Sequence, residues 1–184
     1  MTLESCLSEI KDPRRLQGQR ISLSQLLSII IISNLCGYFG GRPISKFAKS
    51  YASTFRATLG LRHGIPSHVT ISAIINNIDQ AELISAFKKW ASQLVKLEGG
   101  DMFSGDGKAL GSTVSNAQNK NQELQAIVSI FCQKSGLVYS LERYENNKES
   151  EINVIRFLVK ELEGLGITFY FDALHTQKNG GEDC

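Results

Sequence analysis

Two aspartates are the residues of this sequence best suited to chemistry. Asp106 lies in the string Gly105-Asp106-Gly107, and Asp172 directly follows the apolar run 167–171. Two carboxylates held close together raise each other's pKa unless a cation lies between them. Mg²⁺ prefers oxygen ligands, and two such ions can activate a nucleophile and stabilise the leaving oxygen of a phosphodiester. If the two side chains meet, they indicate a metal-dependent phosphodiester site.

An ordinary turn is the alternative interpretation of Asp106. Aspartate is common in turns, and Gly-Asp-Gly is a good turn sequence. The residue types alone leave both interpretations open, so the choice depends on the elements that carry the two aspartates.

Those elements are predicted to bring the aspartates together. Beyond residue 98 the hydrophobic period predicts three strands, one helix and a last strand, at 102–104, 125–132, 137–144, 149–162 and 167–171. The first three strands form an antiparallel meander, and the helix crosses over to a strand parallel to its neighbour. If that neighbour is the first strand, both aspartates lie at the carboxyl ends of adjacent parallel strands, where open sheets bind ligands.

The first half of the chain is predicted to be helical. Apolar residues recur at three- and four-residue steps after Ile21, and a second helix is predicted from about Ile44 to Leu59. Ser67 and Asp79 are predicted N-caps of two further helices. Gly99-Gly100 is the best candidate boundary. The sequence therefore predicts an α+β protein with a helical domain at 1–98 and a mixed domain at 99–184.

Several classes of protein are excluded. The four cysteines form no C-x-x-C motif, and the three histidines lack zincin spacing, so we expect reduced thiols and no zinc site. The N-terminus has no apolar core typical of a signal peptide. The apolar stretch 21–39 is interrupted by serines and polar amides, so a buried helix is favoured over a membrane span.

Charge is divided unevenly along the chain. Residues 1–97 carry 12 Lys/Arg and 5 Asp/Glu, whereas residues 98–184 carry 8 and 13. A basic helical surface neutralises phosphates and binds nucleic acid in a salt-sensitive way, and helices around Pro66-Ser67 could form a helix-turn-helix-like reader. An ordinary basic surface is the alternative. The residues predicted to contact DNA are Arg14, Arg15, Arg20, Arg42, Lys46 and Lys49.

Several strings of the sequence resemble one family, the bacterial DDE transposases of the H-repeat-associated type. The strings that carry the resemblance are Asp12-Pro13-Arg14-Arg15 with Gly18 and Arg20, Pro66-Ser67-His68-Val69-Thr70-Ile71, Ser104-Gly105-Asp106-Gly107-Lys108, and Phe171-Asp172-Ala173 with Gln177. They occur in the family's order and cover nearly the whole chain, and together they are specific.

The resemblance implies an RNase H-like catalytic domain that cleaves insertion-sequence ends and transfers the strand into target DNA. It implies Asp106 and Asp172 as ligands of Mg²⁺ or Mn²⁺ in a two-metal site, and Lys108 near a phosphate. DNA is the implied partner, without a membrane, in a bacterial cytoplasm in association with the nucleoid. An exposed sheet edge and an uncovered apolar sheet face predict self-association of the chain as a homo-oligomer.

The family's third carboxylate is not found in the sequence. The resemblance implies a Glu on a helix well beyond Asp172, and the sequence has only twelve residues after it. Glu151 matches a family motif that precedes the sheet's crossover helix, although a neighbouring Asn of that motif is absent. We therefore expect a truncated transposase of low activity. The alternative is a non-catalytic DNA-binding or regulatory fragment that uses only the basic helical half.

Overall fold

A computed structural model describes residues 2–115, 123–145 and 151–171 of the chain. By their contacts, the residues divide into two units, Met1–Trp90 and Ala91–Cys184, which we call unit 1 and unit 2. Among the helices of the described residues, none is long and apolar enough to cross a membrane.

Unit 1 is helical. Its elements are α1 Leu3–Leu7, a short 3₁₀ turn at Leu16–Gly18, α2 Leu23–Leu35, α3 Gly41–Ser50, α4 Ala52–Leu59, α5 His68–Asn77 and α6 Gln80–Ala91. The most buried side chains form one core contributed by the helices and loops together, including Leu7, Leu26, Ile29, Ile44, Ile71 and Ile74. This core accounts for the apolar residues that recur at helical spacing in the sequence.

Side-chain caps form the starts of α2, α5 and α6, and the two predicted caps, Ser67 and Asp79, are confirmed. Ser22 and Gln25 form a capping box at the start of α2, in which each side chain bonds the backbone of the other residue. The Ser67 hydroxyl accepts a hydrogen bond from the Thr70 N–H at the start of α5. Asp79 accepts from two backbone N–H groups in the first turn of α6. Each cap satisfies donors that a helix start leaves free.

The single helix predicted from Ile44 to Leu59 is wrong in its extent. Two helices, α3 and α4, occupy this stretch, and Tyr51 between them has φ −109° and ψ 31°. No glycine or proline marks this break, so the sequence carried no signal for it. The first helix also begins earlier than predicted, at Gly41, because proline is tolerated in a first turn whose N–H groups have no partner within the helix.

Arg14 holds together the loop between α1 and α2. Its guanidinium donates to both carboxylate oxygens of Asp12, at 2.9 and 2.7 Å, and to the carbonyls of Gly18 and Ile21. Burial raises the pKa of Asp12, but the hydrogen bonds and charge of Arg14 outweigh it, so this pKa lies below its ordinary value. The Asp-Pro-Arg string is therefore a structural clamp.

Unit 2 is a mixed four-stranded sheet with one helix. Its elements are β1 Met102–Ser115, β2 Glu123–Cys132, β3 Leu137–Glu145, α7 Glu151–Lys160 and β4 Thr168–Tyr170. The strands lie in the order β3-β2-β1-β4, with β1–β2 and β2–β3 antiparallel and β1–β4 parallel. This confirms the α+β class, the predicted order of elements and the first strand as the parallel neighbour of the last.

One face of the sheet packs against α7. Val154, Ile155 and Leu158 of the helix share a core with Phe103 of β1 and with the buried side chains of β2. Because alternate residues of a strand point to opposite faces, residues 102, 104, 106 and 108 of β1 belong to the other face. Met102, Asp106 and Lys108 are indeed exposed.

The first strand is much longer than predicted. It runs through Gly105-Asp106-Gly107 instead of ending there, and Asp106 is paired with Ser129 of β2. The turn interpretation of this string is therefore wrong, and so is the position of Asp106 at a strand end. Residues 113–115 and 123 also belong to strands, so β1 and β2 extend beyond their predicted ranges, while 116–122 lie outside the described residues.

Replacing Arg14 tests the clamp. We expect Arg14→Ala to lower the free energy of unfolding by about 2 kcal/mol, because it removes hydrogen bonds to a charged and mostly buried partner. Arg15→Ala changes an exposed neighbour and is the matched control. Because the pKa of Asp12 is depressed from 3.8, the clamp's contribution is fully present above that pH and is lost as the pH falls below it. Chemical denaturation at pH 7 and pH 3 measures both effects. An equal loss in the two variants would contradict the clamp.

Candidate active site

Asp106 lies in the middle of β1, on the sheet face away from α7. Its Cα partner in β2 is Ser129, and its side chain is exposed. Lys108 lies two residues further along the same strand face and is also exposed. A carboxylate and an ammonium group are therefore presented on one accessible face, and β2 holds the backbone beneath both.

The parallel pairing of β1 with β4 bears on the predicted pair of aspartates. The register aligns Phe103 with Phe169 and Ser104 with Tyr170. Asp106 follows Ser104 by two residues, and Asp172 follows Tyr170 by two residues. Asp172 itself lies outside the described residues. The neighbouring parallel strands are confirmed, and the meeting of the two carboxylates stays a prediction.

Gly105 is a position where β1 has no room for a side chain. A Cβ at Gly105 would lie 2.6 and 2.9 Å from two ring carbons of Phe171. The Phe171 ring is stacked on that of Phe169, with centroids 5.7 Å apart and an interplanar angle of 4°. The glycine therefore lets the aromatic end of the last strand close onto β1, which ties the residue before Asp172 to the residue before Asp106.

Gly107 is a second such position, and a carboxylate fills the space. A Cβ there would overlap the Glu151 carboxylate, whose more distant oxygen Oε2 would be only 2.9 Å away. The Tyr144 hydroxyl donates to the same oxygen over 3.3 Å. Burial, followed by the charge of Glu151 and this hydrogen bond, raises the pKa of Tyr144 to about 12. Glu151 thus joins α7, β3 and β1 on the face opposite Asp106.

The entry to the first strand is fixed by a further polar group. Asp101 is buried and accepts a hydrogen bond from the Glu98 N–H over 2.8 Å, while its own carbonyl accepts from the Thr168 N–H over 3.0 Å. Lys134 forms ion pairs with Glu98 and Asp101. These contacts hold β4 beside β1. The roles of Asp101 and Tyr144 were not predicted from the sequence. Two partners of Asp101, Lys134 and Thr168, lie far along the chain, and no sequence motif marks the contact of Tyr144 with Glu151.

Asp106 offers one oxygen-donor side chain of the type that Mg²⁺ and Mn²⁺ prefer. In the part of the chain that the structure describes, no three His, Cys, Asp or Glu side chains form a cluster that could hold a metal ion. Glu151 does not complete such a cluster, since it lies across the sheet from Asp106. The donor chemistry of Asp106 fits a divalent ion, and Asp172 is the second ligand that the sequence predicts.

The comparisons with known proteins agree on one family. A family model described as DDE_Tnp_1-associated matches residues 4–91. The H repeat-associated putative transposase YhhI of Escherichia coli (strain K12) is 26% identical over 178 residues, which cover 96% of this chain and 46% of that protein. The H repeat-associated putative transposase YbfD of the same organism is 24% identical over 176 residues, covering 96% and 68%.

These matches support the H repeat-associated transposases as the family of the chain.

Another relative, an uncharacterized protein in the dhlA 3′ region of Xanthobacter autotrophicus, is 31% identical over 173 residues, which cover 92% of this chain and 57% of that protein. The chain spans about half the length of most of the curated relatives it matches. No solved structure matches it. The family model covers nearly all of unit 1, so the helical unit of this transposase-family chain is its associated domain.

The associated domain presents most of the cations that the sequence analysis singled out. The exposed ones are Arg15, Arg20, Arg42, Lys46 and Lys49. Arg14 differs from them, because its side chain is only 9% exposed and its guanidinium is bound to Asp12 and two carbonyls. We therefore leave Arg14 out of any surface offered to DNA.

A double-mutant cycle tests the contact between Gly107 and Glu151. We expect Gly107→Ala to destabilise unit 2 by about 1–3 kcal/mol, because the added methyl overlaps a packed carboxylate. In a Glu151→Ala background, the same change should cost little, because the space is then empty and alanine loses less backbone entropy than glycine. Urea denaturation of the four proteins measures the coupling.

The control for this cycle is Gly99→Ala. A Cβ at Gly99 would meet only the Leu165 carbonyl oxygen, at an ordinary 3.8 Å. We expect this variant to unfold close to the wild type in both backgrounds. If Gly107→Ala costs the same with and without Glu151, the carboxylate is not what excludes a side chain from position 107.

Proposed function

We propose that this chain acts in DNA transposition, with unit 2 as an RNase H-like catalytic domain. In this proposal Asp106 and Asp172 hold Mg²⁺ or Mn²⁺, which supplies activation of a nucleophile and stabilisation of the leaving oxygen of a phosphodiester. The observation that carries it is the parallel pairing of β1 with β4. The last pair of that register is Ser104 with Tyr170, and Asp106 and Asp172 each follow their own strand's member of the pair by the same number of residues.

The accessible face around Asp106 supports a large polyanionic substrate. Lys108 is exposed on the same strand face, where its ammonium group can contact a phosphate. In the part of the chain that the structure describes, no three metal-binding side chains form a cluster, and the proposal therefore gives the site two carboxylates, those of Asp106 and Asp172. Two carboxylates hold a pair of cations less tightly than three, since each added negative ligand contributes to neutralising the metal charge.

Metal binding by Asp106 is directly measurable. We expect calorimetric titration of the full chain with MnCl₂ to show weak binding that Asp106→Ala reduces at least about tenfold, since it removes one of two charged ligands. Glu163→Gln, at an exposed acid of the same unit, should leave the titration unchanged. Since Asp106 is exposed, its replacement should leave the unfolding curve unaltered. Equal Mn²⁺ affinity in wild type and Asp106→Ala would overturn the metal assignment.

A non-catalytic DNA-binding role is the second candidate function. It is favoured by the exposed cations of α3, Arg42, Lys46 and Lys49, which have no carboxylate partner among the residues that the structure describes. Their i, i+4, i+7 spacing puts them on one stripe of the helix. In this role the basic unit would bind DNA, and Asp106 would be dispensable for everything that the chain does.

The salt dependence of DNA binding tests the basic stripe. We expect the affinity for a duplex to fall steeply with salt, and the triple variant with Arg42, Lys46 and Lys49 changed to Ala should lower the slope of log K against log [salt] by about 2–3. Lys89→Ala is the control, because that ammonium is paired with Glu9 at 2.5 Å. Fluorescence anisotropy between 50 and 300 mM KCl (about 6-fold in salt, enough for a slope) provides the measurement. An unchanged slope would remove α3 from the DNA-binding surface.

A further inference from the structure

Three aromatic side chains are unusually exposed around the start and end of α3. Tyr38 is 42% exposed, Phe39 69% and Tyr51 53%. We call these three residues the aromatic face. Large apolar rings grouped on a surface mark an interaction site more often than isolated exposed side chains do. The outer surfaces of these rings take part neither in the helix caps described above nor in the core of unit 1.

The backbone holds the first two of these rings in place. Helix α2 ends in a Schellman motif, in which Gly37 has φ 84° and the Tyr38 N–H donates to the Ser33 carbonyl over 2.9 Å. Gly40, with φ 81°, is the N-cap residue that directly precedes α3. The helix is then fixed at Gly41, where a Cβ would lie 2.7 Å from the His68 carbonyl oxygen of α5. The loop is thus set by geometry at both ends.

The rings are also ordered by one another. Phe47 stacks on Tyr38 with centroids 4.5 Å apart and an angle of 23°, and it contacts Tyr51 at 4.9 Å. Phe55, which is buried, meets Phe47 edge-on at 6.1 Å. The ring contacts therefore run from the buried Phe55 through Phe47 to the exposed Tyr38 and Tyr51. These two exposed rings have little conformational entropy left to lose when a ligand stacks on them.

The charge around this face is of one sign. From Pro13 to Ile78 the sequence contains eight Lys/Arg and no Asp or Glu. Three of these cations, Arg42, Lys46 and Lys49, form the exposed stripe of α3, the helix that also carries Phe47. If a second copy docked the same basic face of its unit 1 here, like charges would be brought together, which disfavours a symmetric dimer through this surface. The charge complements a polyanion.

We propose that the aromatic face binds unpaired DNA bases, with the cation stripe of α3 on the adjoining phosphates. Aromatic rings beside a basic surface are the combination that holds single strands, because each base offers a flat π-face for stacking. In a duplex those faces are covered by neighbouring base pairs, so exposed rings gain little from it. The inference rests on the proposed function, and it adds that the associated domain binds single-stranded DNA.

Oligonucleotide binding by the full chain tests this proposal. The probes are a fluorescent dT₁₂ strand (about the site size of one stacking module) and a duplex of equal length. We expect the Phe39→Leu, Tyr51→Leu double variant to bind dT₁₂ about 10–100-fold more weakly, because leucine keeps the apolar volume and removes the stacking plane. Duplex affinity should stay within about twofold, since it depends on the cations. Leu16→Ala, at an 86% exposed apolar residue, is the control.

The other outcomes separate the two proposals. Unaltered dT₁₂ binding by the double variant, with duplex binding present, would overturn the aromatic site and leave the DNA function standing. Absence of binding to either probe would overturn both. A dimer in analytical ultracentrifugation that the double variant abolishes would assign the aromatic face to a second copy of the chain, and would overturn the proposal in that way.

Discussion

The close approach of two side chains to β1 constrains the geometry of unit 2. Phe171 occupies the space above Gly105, and the Glu151 carboxylate occupies the space above Gly107. Both lie on the face that packs against α7. Asp106 stands between these glycines and belongs to the opposite face, because strand residues alternate. One face of β1 therefore carries the packing contacts, and the opposite face carries Asp106. A side chain at either glycine would force β4 or α7 away from β1 and so from Asp106, the residue proposed to hold a metal.

Basic side chains in the same segment of the chain have different roles. Arg14 forms the clamp in the loop before α2, whereas the cation stripe of α3 is exposed. The Arg14 guanidinium is directed inward by Asp12 and two backbone carbonyls, so its charge is spent on the loop before α2. Arg42, Lys46 and Lys49 are exposed on one helix. A surface of one sign repels itself, and this destabilises the compact state at low salt. Such a surface is reasonable where a polyanion binds and offsets the repulsion.

Local signals allowed much of the fold to be predicted, and tertiary contacts explain the failures. Ser67 and Asp79 cap their helices as expected, since a cap depends only on residues within one turn. The order of strands followed from period and connection length. Gly105-Asp106-Gly107 was placed at a strand end, with a turn as the alternative, because nothing in the string shows that its glycines make room for Phe171 and Glu151, which are distant in sequence. The break at Tyr51 likewise has no marker in the sequence. The inward direction of Arg14 has local causes instead, because its partners Asp12, Gly18 and Ile21 lie within seven residues. Whether Asp172 meets Asp106 stays a prediction.

The position of Asp106 in mid-strand has a consequence for the kind of substrate that the site suits. A carboxylate on a paired strand is held by its backbone, so a ligand or reacting group placed there costs less reorganisation than it would on a turn. The neighbouring side chains on the same face include Met102, Phe131 and Tyr170, all exposed. A rigid carboxylate on a broad open surface, with Lys108 beside it, matches an extended polyanion better than a small molecule, which needs enclosure to gain affinity. The same geometry therefore supports the proposed extended polyanionic substrate on grounds other than the family resemblance.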